Sequence, residues 1–251
     1  MLMYISKNWY TLSEVLITLT IIGIISSMVL PGLLLNVNKA AYVAKLKKAY
    51  EVISQTTSNV LLESGNISFK AGFPNVFTTA DISEIANIYV DKMDAAKICD
   101  TYTDCFAATY KQWPDGTNGP YSTDYIFPTD TTPASCAAPG NCIITKTFIT
   151  KDGISYGFGR ASNTSQFKTG GGQAHIAILV DINGPKAPNV LGRDLFAFWT
   201  GVRTSIKPNS SDYSFNKFVP GHSSNPTCLD NSPSNSNGLY CTWEALNGIN
   251  Y

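Results

Sequence analysis

The sequence predicts an α+β fold: one long amino-terminal helix, its first half membrane-like and its second half amphipathic, packed on a small antiparallel sheet with disulfide-stapled loops. Three observations carry this. No side chain from Val15 to Leu35 is charged. A mostly apolar pattern then recurs at alternating steps of three and four, at Val43, Leu46, Tyr50, Ile53, Thr57 and Val60, which is the period of one helix face. Runs rich in β-branched and aromatic residues, punctuated by Gly, Asp and Pro, gather after Cys142, and all six cysteines lie beyond the apolar segment.

The uncharged run from Val15 to Leu35 is about 32 Å long as a helix, close to the roughly 30 Å of a bilayer's hydrocarbon core. It is longer than the apolar core of a secretory signal and no small-residue cleavage site follows it, so the span is expected to stay in the mature protein. Glu14 stands at its head, at or inside the membrane boundary, where an ionised carboxylate calls for a partner. Pro31 removes a backbone hydrogen bond and Gly32 loosens the chain, which predicts a bend rather than a stop. The amphipathic continuation is expected to end near Gly65, suited to a left-handed cap. From Thr11 to Ser64 such a helix would run about 80 Å. One globule needs no helix of that length, so half of it is expected to serve a membrane or a filament, and the Val43 to Val60 stripe to bury under a sheet.

The residues Tyr10-Thr11-Leu12-Ser13-Glu14-Val15-Leu16-Ile17-Thr18-Leu19, followed by Gly23 and Pro31, resemble the start of the type IV pilins and type II secretion pseudopilins. The resemblance implies a pilin-like fold and a structural subunit that polymerises through its amino-terminal helix. It also implies that a prepilin peptidase removes a leader, Met1 to Trp9, and methylates the new terminus at Tyr10. Glu14 would neutralise the terminal amine of a neighbouring subunit. Trp9 stands where the family usually carries glycine or another small residue, and Lys7 is the only basic residue of the leader. The implied partners are the peptidase, other pilin or pseudopilin subunits in a homo- or hetero-filament, the membrane and the assembly machinery. The implied location is the bacterial inner membrane, crossed once with the carboxy-terminal domain outside the cytoplasm, then an envelope or extracellular filament. The expected organisation is a leader at 1–9, a transmembrane and assembly helix at 10–35, its amphipathic continuation at 36–65, and a globular α+β domain at 66–251 with an irregular tail.

The chain has 251 residues, 44% of them hydrophobic and 14% charged, with a formal net charge of zero. That suffices for one helix plus one globular domain and offers no basic field for nucleic acid as a primary ligand. The cysteines, Cys99, Cys105, Cys136, Cys142, Cys228 and Cys241, fit an oxidising compartment. Their spacing suggests sequential local pairing, 99 with 105, 136 with 142 and 228 with 241. Zinc is the alternative, with no Cys-x-x-Cys pair and two histidines to draw on. Lys7 before the span against Lys39, Lys45, Lys47 and Lys48 after it would, by the positive-inside rule alone, put the carboxy-terminal side in the cytoplasm. The cysteines and the resemblance place it outside, where the lysines meet lipid headgroups or a neighbouring subunit.

Within the globular region, Ile82, Ile85, Ile88 and Tyr89 suggest a short helix, and Trp113 to Gly116 and Asn118 to Pro120 mark turns. Cys142 to Ile149, a turn at Lys151-Asp152-Gly153, and Ile154 to Phe158 read as a hairpin, because Asp-Gly supplies the positive φ that tight turns need. Further strands are expected at His175 to Ile182 and Leu195 to Thr200, for a sheet of three or four strands. Lys207 to Ser236, rich in Ser, Asn and Pro, reads as an exposed, loosely ordered tail pinned by the terminal cysteines.

One loop invites chemistry. Asp181, Asn183, Asn189 and Asp194 offer the hard oxygen ligands that calcium prefers, and some pseudopilins resembling this layout bind calcium in a loop near the sheet. The loop lacks the Asp-x-Asp-x-Asp-Gly spacing and closing Glu of an EF-hand, and the same residues build any wide turn; Arg193 beside Asp194 offers a structural ion pair instead. His175 and His222 come without a nucleophile and an orienting acid, and Gly170-Gly171-Gly172 lacks the lysine and helix of a phosphate cradle. Neither catalysis nor an organic cofactor is expected. Two function classes stay open: a polymerising subunit, and a monomeric binding domain, an adhesin or sensor, tethered by an uncleaved anchor.

Overall fold

The first helix, α1, runs from Leu12 to Ser64 in the computed structural model. The residues described are 11–73, 82–111, 121–122, 142–161, 175–200, 202–203, 213–214, 217–220 and 241–248. The helix continues through Pro31 and Gly32 and stops where expected. Gly65 takes φ 66°, and the amides of Gly65 and Asn66 donate to the carbonyls of Leu62 and Leu61 at 3.1 Å each. These two bonds are the paired closure of a left-handed helix end, which only glycine adopts without steric cost.

The chain divides into two compact units, 1–41 and 42–251. In the first, Leu12–Val29 is apolar enough to cross a membrane, with a mean hydropathy of 2.0 and none of the segment buried. The hydroxyls of Thr18, Thr20 and Ser27 donate to the carbonyls of Val15, Leu16 and Ile24 within the helix, at 2.7 to 2.9 Å. Polar side chains that bond their own helix expose no unmet donor to hydrocarbon.

In the second unit, α1 supplies Leu46, Ala49, Ile53, Val60 and Leu61 to the core. Next come α2 (Phe69–Gly72) and α3 (Ser83–Lys92), then β1 (Ala95–Cys99) and a 3₁₀ turn at Tyr102–Asp104. β2 (Thr109–Tyr110) pairs with β3 (Tyr121–Ser122). The main strands are β4 (Cys142–Thr150), β5 (Ser155–Ala161), β6 (His175–Asp181) and β7 (Leu195–Trp199). A short pair, β8 (Val202–Arg203) and β9 (Tyr213–Ser214), precedes β10 (Val219–Pro220) and α4 (Thr242–Asn247).

The central sheet is antiparallel in the order β1-β4-β5-β6-β7-β10. Its side chains alternate with the strand period of two, and both faces are covered. Phe148, Tyr156, Phe158, Ile176, Ile178, Val180, Phe196 and Phe198 share a core with α1 and α3. There Tyr50 stacks on Phe198 at 5.4 Å and Tyr89 tilts against Phe158 at 4.7 Å. The residues between them, Ala177, Leu179, Leu195, Ala197 and Trp199, form a second core with Cys105, Phe106 and Tyr110. The amphipathic stripe thus lies under a sheet, in an α+β arrangement.

Two expectations are corrected. Among the described residues the sheet has six strands rather than three or four: β1 buries only its last residue, Cys99, so it lacks the apolar alternation by which strands are recognised. The segment after Lys207 is more than a loose tail. Phe218 is 1% exposed and packs edge-on against Phe69 and Tyr89, while Val219 and Pro220 pair with Trp199 and Phe198. Proline is tolerated there because β10 is an edge strand.

Candidate functional site

Two groups of residues carry chemistry, one at the head of α1 and one in the loop between β6 and β7. At the helix head, the Thr11 amide and hydroxyl both donate to Glu14 Oε2, at 2.8 and 2.9 Å, and the Glu14 amide donates back to Thr11 Oγ1 at 3.3 Å. This reciprocal pattern is a capping box. Its signal, Thr-x-x-Glu before an apolar run, stands in the sequence as Thr11-Leu12-Ser13-Glu14 and was readable there without any family resemblance. Glu14 Oε1 takes no hydrogen bond from a described residue. Trp9 and Tyr10 lie outside the described residues.

The loop between β6 and β7 is held by its two acids. Asp181, fully buried at the end of β6, accepts the Tyr110 hydroxyl on Oδ2 at 2.5 Å and the Asn183 amide on Oδ1 at 3.1 Å. Asp194 accepts the amides of Asn189 and Val190, one on each oxygen, both at 2.6 Å. Asn183 Nδ2 donates to the carbonyls of Lys186 and Ala187 at 2.8 and 3.0 Å. Asn189 takes φ 53°, a left-handed conformation asparagine tolerates. The loop is tied to β2 by Lys111 N–H to the Asn189 carbonyl at 2.8 Å and by Leu191 N–H to the Lys111 carbonyl at 2.9 Å.

Burial sets the electrostatics. Asp181 is pushed well above the usual carboxylate range by desolvation and then by the charge of Asp194. Asp194 is pushed up to about 6 by desolvation, against the pull of the Val190 and Asn189 amides and the Arg193 guanidinium. Tyr110 rises well above its ordinary value, through burial and the charge of Asp181.

The oxygens expected to offer themselves to calcium are therefore engaged. Every carboxylate oxygen of Asp181 and Asp194 already accepts a hydrogen bond, and Asn183 Oδ1 and Asn189 Oδ1 are buried acceptors without a hydrogen-bond partner. Calcium takes carboxylate and neutral carbonyl oxygens alike, and here the two carboxylates close a wide turn through the loop's own amides. Among the described residues no group of three or more His, Cys, Asp or Glu side chains gathers as a metal site.

Cys99 and Cys105 form a disulfide, S–S 2.06 Å, joining the end of β1 to the 3₁₀ turn. Beside it the Ser155 hydroxyl donates to the Cys105 carbonyl at 2.5 Å, and Ala107 N–H donates to the Tyr110 hydroxyl at 3.2 Å. The bridge thus secures the segment that delivers Tyr110 to Asp181, a link between residues far apart in sequence that no local pattern announces. Cys241 is buried and disulfide-bonded. Cys136 and Cys228 lie outside the described residues, as does the side chain of Cys142 at the start of β4, so the pairings 136 with 142 and 228 with 241 fall there. His175 opens β6 with its side chain outside the description, and His222 and Gly170 to Gly172 lie outside it altogether.

No family model, curated protein or solved structure matches this chain in comparison with known proteins.

Proposed function

We propose that the chain is a membrane-anchored structural subunit of the type IV pilus or type II secretion pseudopilus kind, assembling through the first half of α1 after leader cleavage before Tyr10. The observation that carries this reading is a single helix with two halves of opposite character. Leu12–Val29 is apolar enough to cross a membrane and is unburied, whereas Leu46, Ala49 and Ile53 of the same helix are fully buried in the core of an α+β unit. An apolar half of that kind suits a bilayer before assembly and the packed centre of a helical filament after it. The apolar segment and the bonded cysteines support a single-pass anchor with the carboxy-terminal unit on an oxidising side. In this reading Glu14 meets the terminal amine of a neighbouring Tyr10, and the prepilin peptidase, sister subunits and assembly machinery are the partners.

A second reading has its own support. The capping box gives even a monomeric anchor a reason to place an acid just inside its amino-terminal end, because Glu14 accepts the Thr11 amide and hydroxyl at the open end of α1. The tethered binding domain is therefore the competitor. Glu14→Val, scored separately for membrane retention and for sheared filaments, separates the two. Retention without filaments supports assembly through Glu14, and normal filaments would refute it. Mass spectrometry of the native terminus is the companion measurement: a methylated Tyr10 supports processing, and an intact Met1 or Met3 sinks it.

A further inference from the structure

We propose that Asp181 and Asp194 act as a pH-sensitive clasp on the strap from Asn189 to Leu191, keeping it on β2 in acid and letting it open more readily as the pH rises, whether or not the chain is anchored or assembled. Both acids belong to one turn of chain: Asp181 closes β6 opposite Leu195, and the Ile182 amide donates to the Asp194 carbonyl at 2.9 Å. Both are fully buried. Asp194 fixes the strap, since its two oxygens take the amides of Asn189 and Val190 at 2.6 Å each. The strap in turn is laddered to β2, the Lys111 amide donating to the Asn189 carbonyl at 2.8 Å and the Leu191 amide to the Lys111 carbonyl at 2.9 Å. Val190 and Leu191 are 8% and 1% exposed, and Leu191 is part of the second core, so opening bares apolar surface.

A second negative charge finds little here to meet it. Burial opposes the charge on Asp181, and the charge of Asp194 opposes it further. From α1 comes Tyr42 and from β2 Tyr110, phenols whose own ionisation is resisted by burial and then by the two acids. Within the loop Arg193 draws Asp194 the other way, while Lys186 and, on β2, Lys111 are exposed. The β4–β5 turn comes close to the loop at Gly184, but its Lys151 and Asp152 are paired with Asp94 and Lys48. Closed, Asp194 titrates at about 6; opened to water it returns to an ordinary 3.8. Its proton therefore belongs to the closed form, so closure is most secure below about pH 4 and weakens as pH rises through 6.

The test is amide hydrogen exchange of the detergent-solubilised full chain, each rate divided by its intrinsic chemical rate, with a chelator present so that protons alone compete for the carboxylates. From about pH 5 to about pH 7.5, opening at Lys111, Asn189, Val190 and Leu191 is expected to rise about tenfold. Low urea should change it little, as befits a local opening, whereas Leu179 of β6 should be better protected and respond to urea in full. Asp194→Asn is expected to remove the tenfold rise at the same amides. Exchange at the strap that does not respond to pH would overturn the proposal. So would strap amides with the protection and urea response of Leu179, since opening would then be global unfolding alone, and so would a rise that persists in Asp194→Asn. If that variant does not fold, the pH and urea responses of the parent decide by themselves.

Discussion

Replacing Tyr110 with phenylalanine keeps the ring in its pocket and removes one oxygen on which two buried groups depend. Asp181 Oδ2 loses its donor at 2.5 Å, and the Ala107 amide loses its acceptor at 3.2 Å. A buried polar group left without its partner costs about 1 to 3 kcal/mol, so the two together predict a loss of roughly 2 to 6 kcal/mol. For a chain of this size, at about 2 to 4 °C per kcal/mol, that lowers Tm by about 4 to 24 °C. Tyr89→Phe is the matched comparison. Tyr89 is equally buried and bonds Thr57 Oγ1 at 2.6 Å, but Thr57 also donates to the Ile53 carbonyl at 2.6 Å. No donor is stranded there, and the loss is expected to stay near 1 kcal/mol. The assay is thermal unfolding of the detergent-solubilised chain followed by near-ultraviolet circular dichroism, with both variants melted beside the parent. If Tyr110→Phe costs no more than Tyr89→Phe, the hydroxyl is not what secures the β6–β7 loop.

Asp194, with its carboxyl at about 6 in the folded chain against an ordinary 3.8, binds protons more readily folded than unfolded. Its stabilising contribution is therefore fully present below about pH 4 and is lost as pH rises through 6, a change of about 3 kcal/mol; urea unfolding of the parent minus Asp194→Asn should show that fall, and a difference independent of pH would refute it. Cys99→Ser with Cys105→Ser is expected to cost about 2 kcal/mol from the small ring that the bridge closes, and to expose the β6–β7 loop to protease. Unchanged cleavage in this variant would separate the bridge from the loop. Leu46→Ala and Ile53→Ala, both fully buried, should each cost about 2 to 5 kcal/mol, whereas Leu62→Ala, at 77% exposure, should be nearly neutral in the same melts. Added calcium is expected to leave Tm unmoved, and a concentration-dependent rise would place an ion among the loop oxygens.

Much of the fold was legible because its signals are local. The helix period from Val43 to Val60, the glycine at its end and the Asp-Gly of the β4–β5 turn each depend on neighbours within a few residues, and all three are found as expected. The Cys99–Cys105 pairing was legible for the same reason. The cap formed by Thr11 and Glu14 was equally local but went unread, because Glu14 already had an explanation as a charge in an apolar segment. β1 and β10 escaped because edge strands are recognised by what they pair with, and Ala95 to Cys99 shows little apolar pattern until β4 lies beside it.

From the sequence alone follow an apolar helix of membrane length with one acid at its head, an amphipathic continuation that must be covered, and a cysteine set suited to an oxidising compartment. The use made of the oxygens in the β6–β7 loop was decided only by the tertiary structure. As isolated letters in a polar loop, Asp181 and Asp194 suit a ligand set and a wide turn alike. Once Tyr110 arrives from 71 positions away and the loop turns its own amides inward, the same carboxylates become buried acceptors. The physical reason is that a carboxylate's chemistry is set by its desolvation and by the donors around it, and both are supplied by parts of the chain that meet only on folding.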